Sequence, residues 1–158
     1  MLLRKRAWDI MREEFASVRE NASLSEAIVA LQNIRAKQPD TGYVLVFSEN
    51  DRFVGMLSMW NLIQGMGPCL LKGSLLDGNE VDWDEAFGQA CRSCAQVRIA
   101  DCLQRDVPVL KPNDPVARVL EVFLDYRRGR AVVEEGGKII GVVTLVDLFQ
   151  EIGESLMG

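Results

Sequence analysis

Gly141-Val142-Val143-Thr144-Leu145-Val146-Asp147 ends one apolar run and opens another of different period. The same order, Gly55-Met56-Leu57-Ser58-Met59-Trp60-Asn61, stands 86 residues earlier (141 − 55). In both stretches a glycine and two apolar residues finish a strand-like segment, and a hydroxyl follows. A carboxylate or amide then comes three residues after the hydroxyl. That spacing is helix-start chemistry, because each side chain can satisfy the other's backbone N–H. A helix N-terminus is also where N–H groups point at an anion, so the motif marks a place for a ligand. Its recurrence predicts one unit duplicated.

Upstream of Gly55, Trp8-Asp9-Ile10-Met11 leads in and Phe15 to Val18 reads as a short extended piece. Ser23-Leu24-Ser25-Glu26 is a capping box ahead of an apolar stripe at Leu24, Ala27, Ile28, Leu31 and Ile34, the period of an amphipathic helix. Pro39-Asp40-Thr41-Gly42 breaks it. Tyr43 to Phe47 and Phe53 to Leu57 read as strands around the turn Ser48 to Arg52, and Ser58 opens a helix to about Met66.

The second copy repeats this order. Ile99-Ala100-Asp101-Cys102-Leu103 leads in and Val107 to Leu110 is extended. Asp114 is the expected N-cap, with Pro115 at the first helical position and a stripe at Val116, Val119, Leu120 and Phe123. Gly129 is expected to end that helix. Arg130 to Val133 and Ile139 to Val143 read as strands around Glu134-Glu135-Gly136-Gly137, and Thr144 opens a helix to about Ile152. The lead-ins are offset by 92 residues (101 − 9) and the endings by 86, so copy one carries six extra residues, most simply at Ala36 to Gly42.

The chain therefore divides into residues 1–66, a linker over 67–98, and residues 99–158. Gly67-Pro68, Gly73 and Asp77-Gly78-Asn79 read as loop. Asp82 to Val97 reads as a helix capped by Asp82 and Glu85, with Trp83, Phe87, Ala90 and Cys94 on one face. The linker is too apolar to be a free tether and is expected to pack on the rest. Trp8, Trp60 and Trp83 fall at apolar positions and are expected to serve packing.

Composition excludes several function classes. A net charge of −5 argues against a nucleic-acid binder, which needs a basic face. No stretch approaches the ~20 apolar residues of a membrane span, and Leu2-Leu3-Arg4-Lys5-Arg6 is not followed by the apolar run of a signal peptide. The chain has no histidine, so the commonest general base and metal ligand are absent. The four cysteines are expected as reduced thiols in a cytoplasmic protein. Cys91-Arg92-Ser93-Cys94 has the spacing of a metal knuckle, with Cys69 and Cys102 as further ligands. The same spacing lies beside Phe87 and Ala90 on a helix, which favours small buried side chains, and no metal site is expected. No nucleophile-and-base constellation or Walker-type loop is present, so no catalytic residues and no enzymatic activity are expected.

The duplicated order, with Asp9-Ile10-Met11 and Asp101-Cys102-Leu103 leading in and both Gly…Ser/Thr-x-x-Asn/Asp endings, resembles the CBS domain, named for cystathionine β-synthase. Two copies resemble a Bateman module. The resemblance implies an α+β fold of two β-α-β-β-α repeats related by a pseudo-twofold axis, joined by a partly helical linker, and a homodimer of such modules. It implies an adenosine-containing ligand (AMP, ADP, ATP or S-adenosylmethionine) in the cleft between the repeats. It further implies a regulatory role read by a separate, unidentified protein partner. Carried over residue by residue, Asp147 would accept from the ribose hydroxyls and Thr144 would meet phosphate, with Arg127, Arg128 and Arg130 nearby as always-charged donors. Ser58 and Asn61 hold the matching positions of copy one, where the amide offers a single acceptor oxygen and the stretch Thr41-Gly42-Tyr43-Val44 has no arginine. The alternatives are a ligand-free scaffold for oligomerisation or protein interaction, and a cysteine-based metal or redox sensor.

Overall fold

The computed structural model describes residues 5–70, 82–127 and 129–158. The chain forms two compact units, each with a three-stranded sheet and helices packed on it, a mixed α+β architecture. One unit is continuous, Ala16–Arg105; the other is discontinuous, Met1–Phe15 with Asp106–Gly158.

In the continuous unit the order is β1 (Ser17–Arg19), α2 (Leu24–Lys37), β2 (Tyr43–Phe47), β3 (Phe53–Ser58), α3 (Met59–Leu70) and α4 (Trp83–Cys94). β1 runs parallel to β2, and β2 antiparallel to β3. The Ser23 hydroxyl accepts from the Glu26 N–H, so the capping box starts α2 where its chemistry requires. Leu24, Ala27, Leu31 and Ile34 of α2 bury against Val44, Val46 and Leu57 of the sheet, Leu62 of α3, and Ile99. This stripe matches the helical period, and its burial is what holds α2 on the sheet.

The discontinuous unit has α1 (Ala7–Ile10), β4 (Val109–Leu110), α5 (Val116–Tyr126), β5 (Arg130–Glu135), β6 (Lys138–Thr144) and α6 (Leu145–Met157). Its sheet repeats the order, β4 parallel to β5 and β5 antiparallel to β6. Its core is Ala7, Leu110, Val119, Val122, Phe123, Ala131, Val133, Val143 and Leu148. Gly136 and Gly137 turn β5 into β6 at φ of 59° and 82°, a left-handed pair that matches the twist of a tight hairpin.

Each lead-in packs on the sheet of the other copy. Arg12 pairs with Val142 of β6 through two backbone bonds, and Gln104 pairs in the same way with Met56 of β3. These crossings explain the motif's glycines. A Cβ on Gly55 would meet the Gln104 carbonyl oxygen at 2.4 Å, and one on Gly141 would meet Met11 Sδ at 2.5 Å and the Arg12 carbonyl oxygen at 3.0 Å. No side chain larger than hydrogen fits under either crossing strand as it lies.

Several local expectations need correction. The Asp114 carboxylate accepts from the Lys111 N–H and so closes the turn before α5 instead of capping it. Pro115, extended at ψ 156°, is the residue before the helix. Arg127, not Gly129, takes the left-handed position that ends α5. Val122 replaces Leu120 on the buried face. α3 continues through Gly67-Pro68 to Leu70, because a proline in a last turn forfeits one backbone bond without ending the helix. The six extra residues of copy one are not all in one place. The paired residues Tyr43↔Ser58 and Arg130↔Thr144 put five before β2, and the longer β2–β3 turn, with Asp51 at φ 62°, takes the sixth. Trp8, Trp60 and Trp83 are mainly exposed, so the core does not use them.

Candidate functional site

Thr144 ends β6 and is the N-cap of α6, which brings the strand's last side chain and the helix's first turn to one point. Its hydroxyl accepts from the Asp147 N–H at 3.2 Å and donates to Asp147 Oδ2 at 2.8 Å. The Thr144 N–H reaches the same carboxylate at 3.4 Å. The box is reciprocal, so it fixes both side chains without help from a ligand. Arg130, the first residue of β5, is the cross-strand partner of Thr144. Directly opposed residues of an antiparallel pair project to one face, so Arg130 stands beside Thr144, which in turn holds Asp147. Arg127 caps α5 and is exposed. Arg128 lies outside the described residues.

Asp147 has a further partner that sequence reasoning missed. Arg12 clamps it with both arms of the guanidinium, Nε donating to Oδ2 at 2.9 Å and Nη2 to Oδ1 at 3.0 Å. The two side chains are only 16% and 21% exposed, which makes this a partly buried, bidentate, charge-assisted pair. With the Thr144 hydroxyl and N–H, three donors sit on Oδ2 and one, Arg12 Nη2, on Oδ1, which leaves one position on Oδ1 open. The one hint in the sequence is a paired exchange between the copies. Where copy two's motif ends in Asp147 its crossing strand supplies Arg12, and where copy one's ends in Asn61 the matching crossing residue is Gln104.

In copy one the Ser58 N–H and hydroxyl both donate to Asn61 Oδ1, at 2.9 and 3.0 Å, and the Asn61 N–H returns a bond to Ser58 Oγ at 3.0 Å. The amide oxygen's two lone pairs are thus both used by the cap itself. The residue opposite Ser58 is Tyr43, which is buried, so no cation stands where Arg130 stands in copy two. Both helices also have their first N–H bound to a carbonyl: Met59 to Gly42 at 3.1 Å and Leu145 to Gly129 at 2.7 Å. With the Asp147 N–H bound to Thr144, two of the first three N–H groups of α6 are in use. Positive charge for an anion here falls mainly to arginine side chains.

Chemistry based on cysteine is narrowed by a correction. The expectation of four reduced thiols fails, because Cys69 and Cys94 form a disulfide between α3 and α4, leaving Cys91 and Cys102 free. Cys94 is spent in that bond and cannot share a metal with Cys91. Among the described residues no three or more Cys, Asp or Glu side chains gather as a metal site. Burial pushes the Cys102 thiol up, with a smaller push from Asp101, against the lowering effect of its backbone bond. A thiol held protonated in this way is a weak nucleophile. No helix among the described residues is long and apolar enough to cross a membrane.

Comparison with known proteins bears on the whole arrangement. No curated protein matches the chain in sequence. Solved structures match its fold over nearly its full length. The CBS-domain containing protein ATU1752 from Agrobacterium tumefaciens is 16% identical with a TM-score of 0.67, 95% of each chain being covered. The CBS domain pair of protein MJ0100, solved with 5'-methylthioadenosine and S-adenosyl-L-methionine, is 16% identical with a TM-score of 0.65, over 96% of this chain and 98% of that one. The cytosolic domain of the magnesium channel MgtE, solved with ATP, is 22% identical with a TM-score of 0.62, over 93% of this chain and 48% of that one. At these identities the likeness is one of fold. The family model of the CBS domain matches residues 7–67 and again residues 99–154, and these two matches take in both copies of the motif with their lead-ins. The chain belongs to the CBS-domain family and carries the domain twice.

Proposed function

We propose that this chain is a regulatory, non-catalytic module that binds an adenosine-containing ligand at Asp147, Thr144 and Arg130 and reports it to a separate protein partner. The observation that carries this reading is the convergence of an acceptor carboxylate, a hydroxyl and a cation on one helix start. Asp147 accepts from the ribose hydroxyls, and Thr144 and Arg130 take the phosphate or its equivalent. The adenosyl compounds held by the pair in protein MJ0100 and by the MgtE domain lend support to this ligand class. Ser58 and Asn61 form the weaker site, since the cap uses both acceptor positions of the amide oxygen. Signalling then works by population shift: a ligand that prefers one arrangement of the module raises the affinity of whatever partner prefers the same one.

A second reading, a scaffold for self-association, is favoured by exposed apolar side chains. Leu145, Phe149 and Leu156 of α6 and Leu124 of α5 are each more than half exposed. Between α2 and α3 a groove of about 270 Å³ is lined by Ile28, Met59, Ile63 and Met66 among others. We take these faces as the contacts of a homodimer, which is compatible with ligand sensing.

Thermal melts with AMP, ADP, ATP and S-adenosylmethionine in turn test the proposal, since a ligand that binds only the folded chain raises Tm. A saturable rise that Asp147→Ala abolishes supports it. No rise with any of the four favours the scaffold. Asp147→Ala also takes the carboxylate away from a largely buried Arg12, so the variant is expected to lose about 1–3 kcal/mol of stability by itself. Its melts must therefore be compared with its own ligand-free baseline.

A further inference from the structure

Asp147 cannot take both hydroxyls of a ribose while Arg12 holds both of its oxygens, because Oδ2 already accepts from three donors and Oδ1, bound by Arg12 Nη2, keeps a single open position. We propose that Arg12 is a latch on this site and that it selects adenosine ligands carrying a phosphate. The inference rests on the reading that the ribose sits on Asp147. The Thr144 bonds belong to the helix cap and stay in place, so Arg12 is the partner that leaves. Its backbone is fixed to Val142 by two bonds, of 2.8 and 3.0 Å, so only the side chain turns and its charge stays beside the site.

The ligand's own charge then decides whether the exchange is favourable. A neutral nucleoside can replace the guanidinium on the carboxylate, but it parts a largely buried cation from its carboxylate and brings no anion in return. A cationic sulfonium compound adds a second positive charge next to it. A nucleotide brings phosphate oxygens that re-pair the guanidinium in the bidentate geometry it has just given up. Only the phosphorylated ligand gives the guanidinium an anion in place of the carboxylate it leaves. Copy one, with Gln104 and Asn61 at the corresponding places, has no such charge to move.

The test is calorimetric titration of the full chain with AMP, adenosine and S-adenosylmethionine, in wild type, Arg12→Gln and Arg12→Lys. Wild type is expected to bind AMP about tenfold or more tighter than adenosine, the size of one charge-assisted pairing. Arg12→Gln, which installs copy one's residue, should lower that ratio several-fold, to what Thr144 and Arg130 support alone, by tightening adenosine and weakening AMP. Arg12→Lys keeps the charge without the fork and should retain part of the preference. It carries the test if Arg12→Gln fails to fold by circular dichroism. An AMP-to-adenosine ratio unmoved by removing the arginine overturns the latch while leaving the ribose reading standing, provided Asp147→Ala still abolishes binding. Equal binding of AMP, adenosine and S-adenosylmethionine by wild type overturns it also. Absence of binding by any of the three in wild type removes the ribose reading and the latch together.

Discussion

Gly55 lies directly beneath the backbone carbonyl of Gln104, so close that a methyl group placed on it would sit 2.4 Å from that oxygen. The contact is backbone to backbone and cannot be relieved by turning a side chain. Gly141 occupies the same place in the other unit, but its nearest neighbour is the flexible end of Met11. Gly55→Ala is therefore expected to destabilise the chain by about 3 kcal/mol, at the upper end of overpacking effects. Gly141→Ala should lose about 1–2 kcal/mol, because Met11 can give way. Urea denaturation of the two variants checks the order; equal losses would mean that the crossing at Gln104 yields as readily as a side chain.

The Cys69–Cys94 disulfide, with a sequence separation of 25, ties α4 to the end of α3. A loop of that length is expected to contribute about 3 kcal/mol by restricting the unfolded chain. Reductant should lower the melting temperature of wild type and leave a Cys69→Ser, Cys94→Ser double variant unchanged. Thiol titration of the denatured, unreduced protein should find the equivalents of Cys91 and Cys102 alone. Four titratable thiols in protein purified without reductant would contradict the cross-link.

Lys5 donates to Oε2 of Glu151 at 3.1 Å, where the Glu151 side chain is only 8% exposed. This hydrogen bond is the main cause that lifts the Lys5 pKa above its ordinary 10.5. Burial opposes it, and the charges of Glu151, Glu154 and Asp9 assist. A cation whose pKa is raised by folding contributes its full stabilisation below the unfolded value and loses it as pH climbs through the folded one. Wild type should therefore lose more stability than Lys5→Met as pH rises above about 10.5. Parallel pH–Tm curves for the two proteins would show that the pair adds nothing.

Much of this was legible in the sequence. The repeated motif, the capping boxes and the apolar stripe of α2 are local signals, set by residues three or four apart, and they located the strands of both sheets and the start of both motif helices. The family resemblance added the α+β class, which the two three-stranded sheets bear out. What periodicity could not reach was any pairing set by chain crossing. The glycines of the motif are needed because a distant lead-in passes over them, and Arg12 meets Asp147 across a separation of 135 residues. Tryptophan at an apolar position was a poor guide to burial, since Trp60 sits on the outer side of a helix whose other face holds Leu62. The cysteine expectation came from the cellular prior on thiols, and spacing alone cannot tell a helix-buried Cys94 from one that meets Cys69.

The exchange of lead-ins also sets an order of events during synthesis. The continuous unit is drawn from one uninterrupted stretch, Ala16–Arg105, so that unit can close while the rest of the chain is still being made. The other unit cannot: Ala7, which is fully buried in its core, is made before the continuous unit and has no sheet to pack on until β5 and β6 exist. For that interval the segment around Ala7 waits with its apolar side chains uncovered, tethered to a neighbour that is already folded. The loop to be closed has by then been shortened by that folded neighbour, which lowers the entropy lost when Arg12 finally reaches Val142. The ribosome would thus release an early segment that is among the last to find its place.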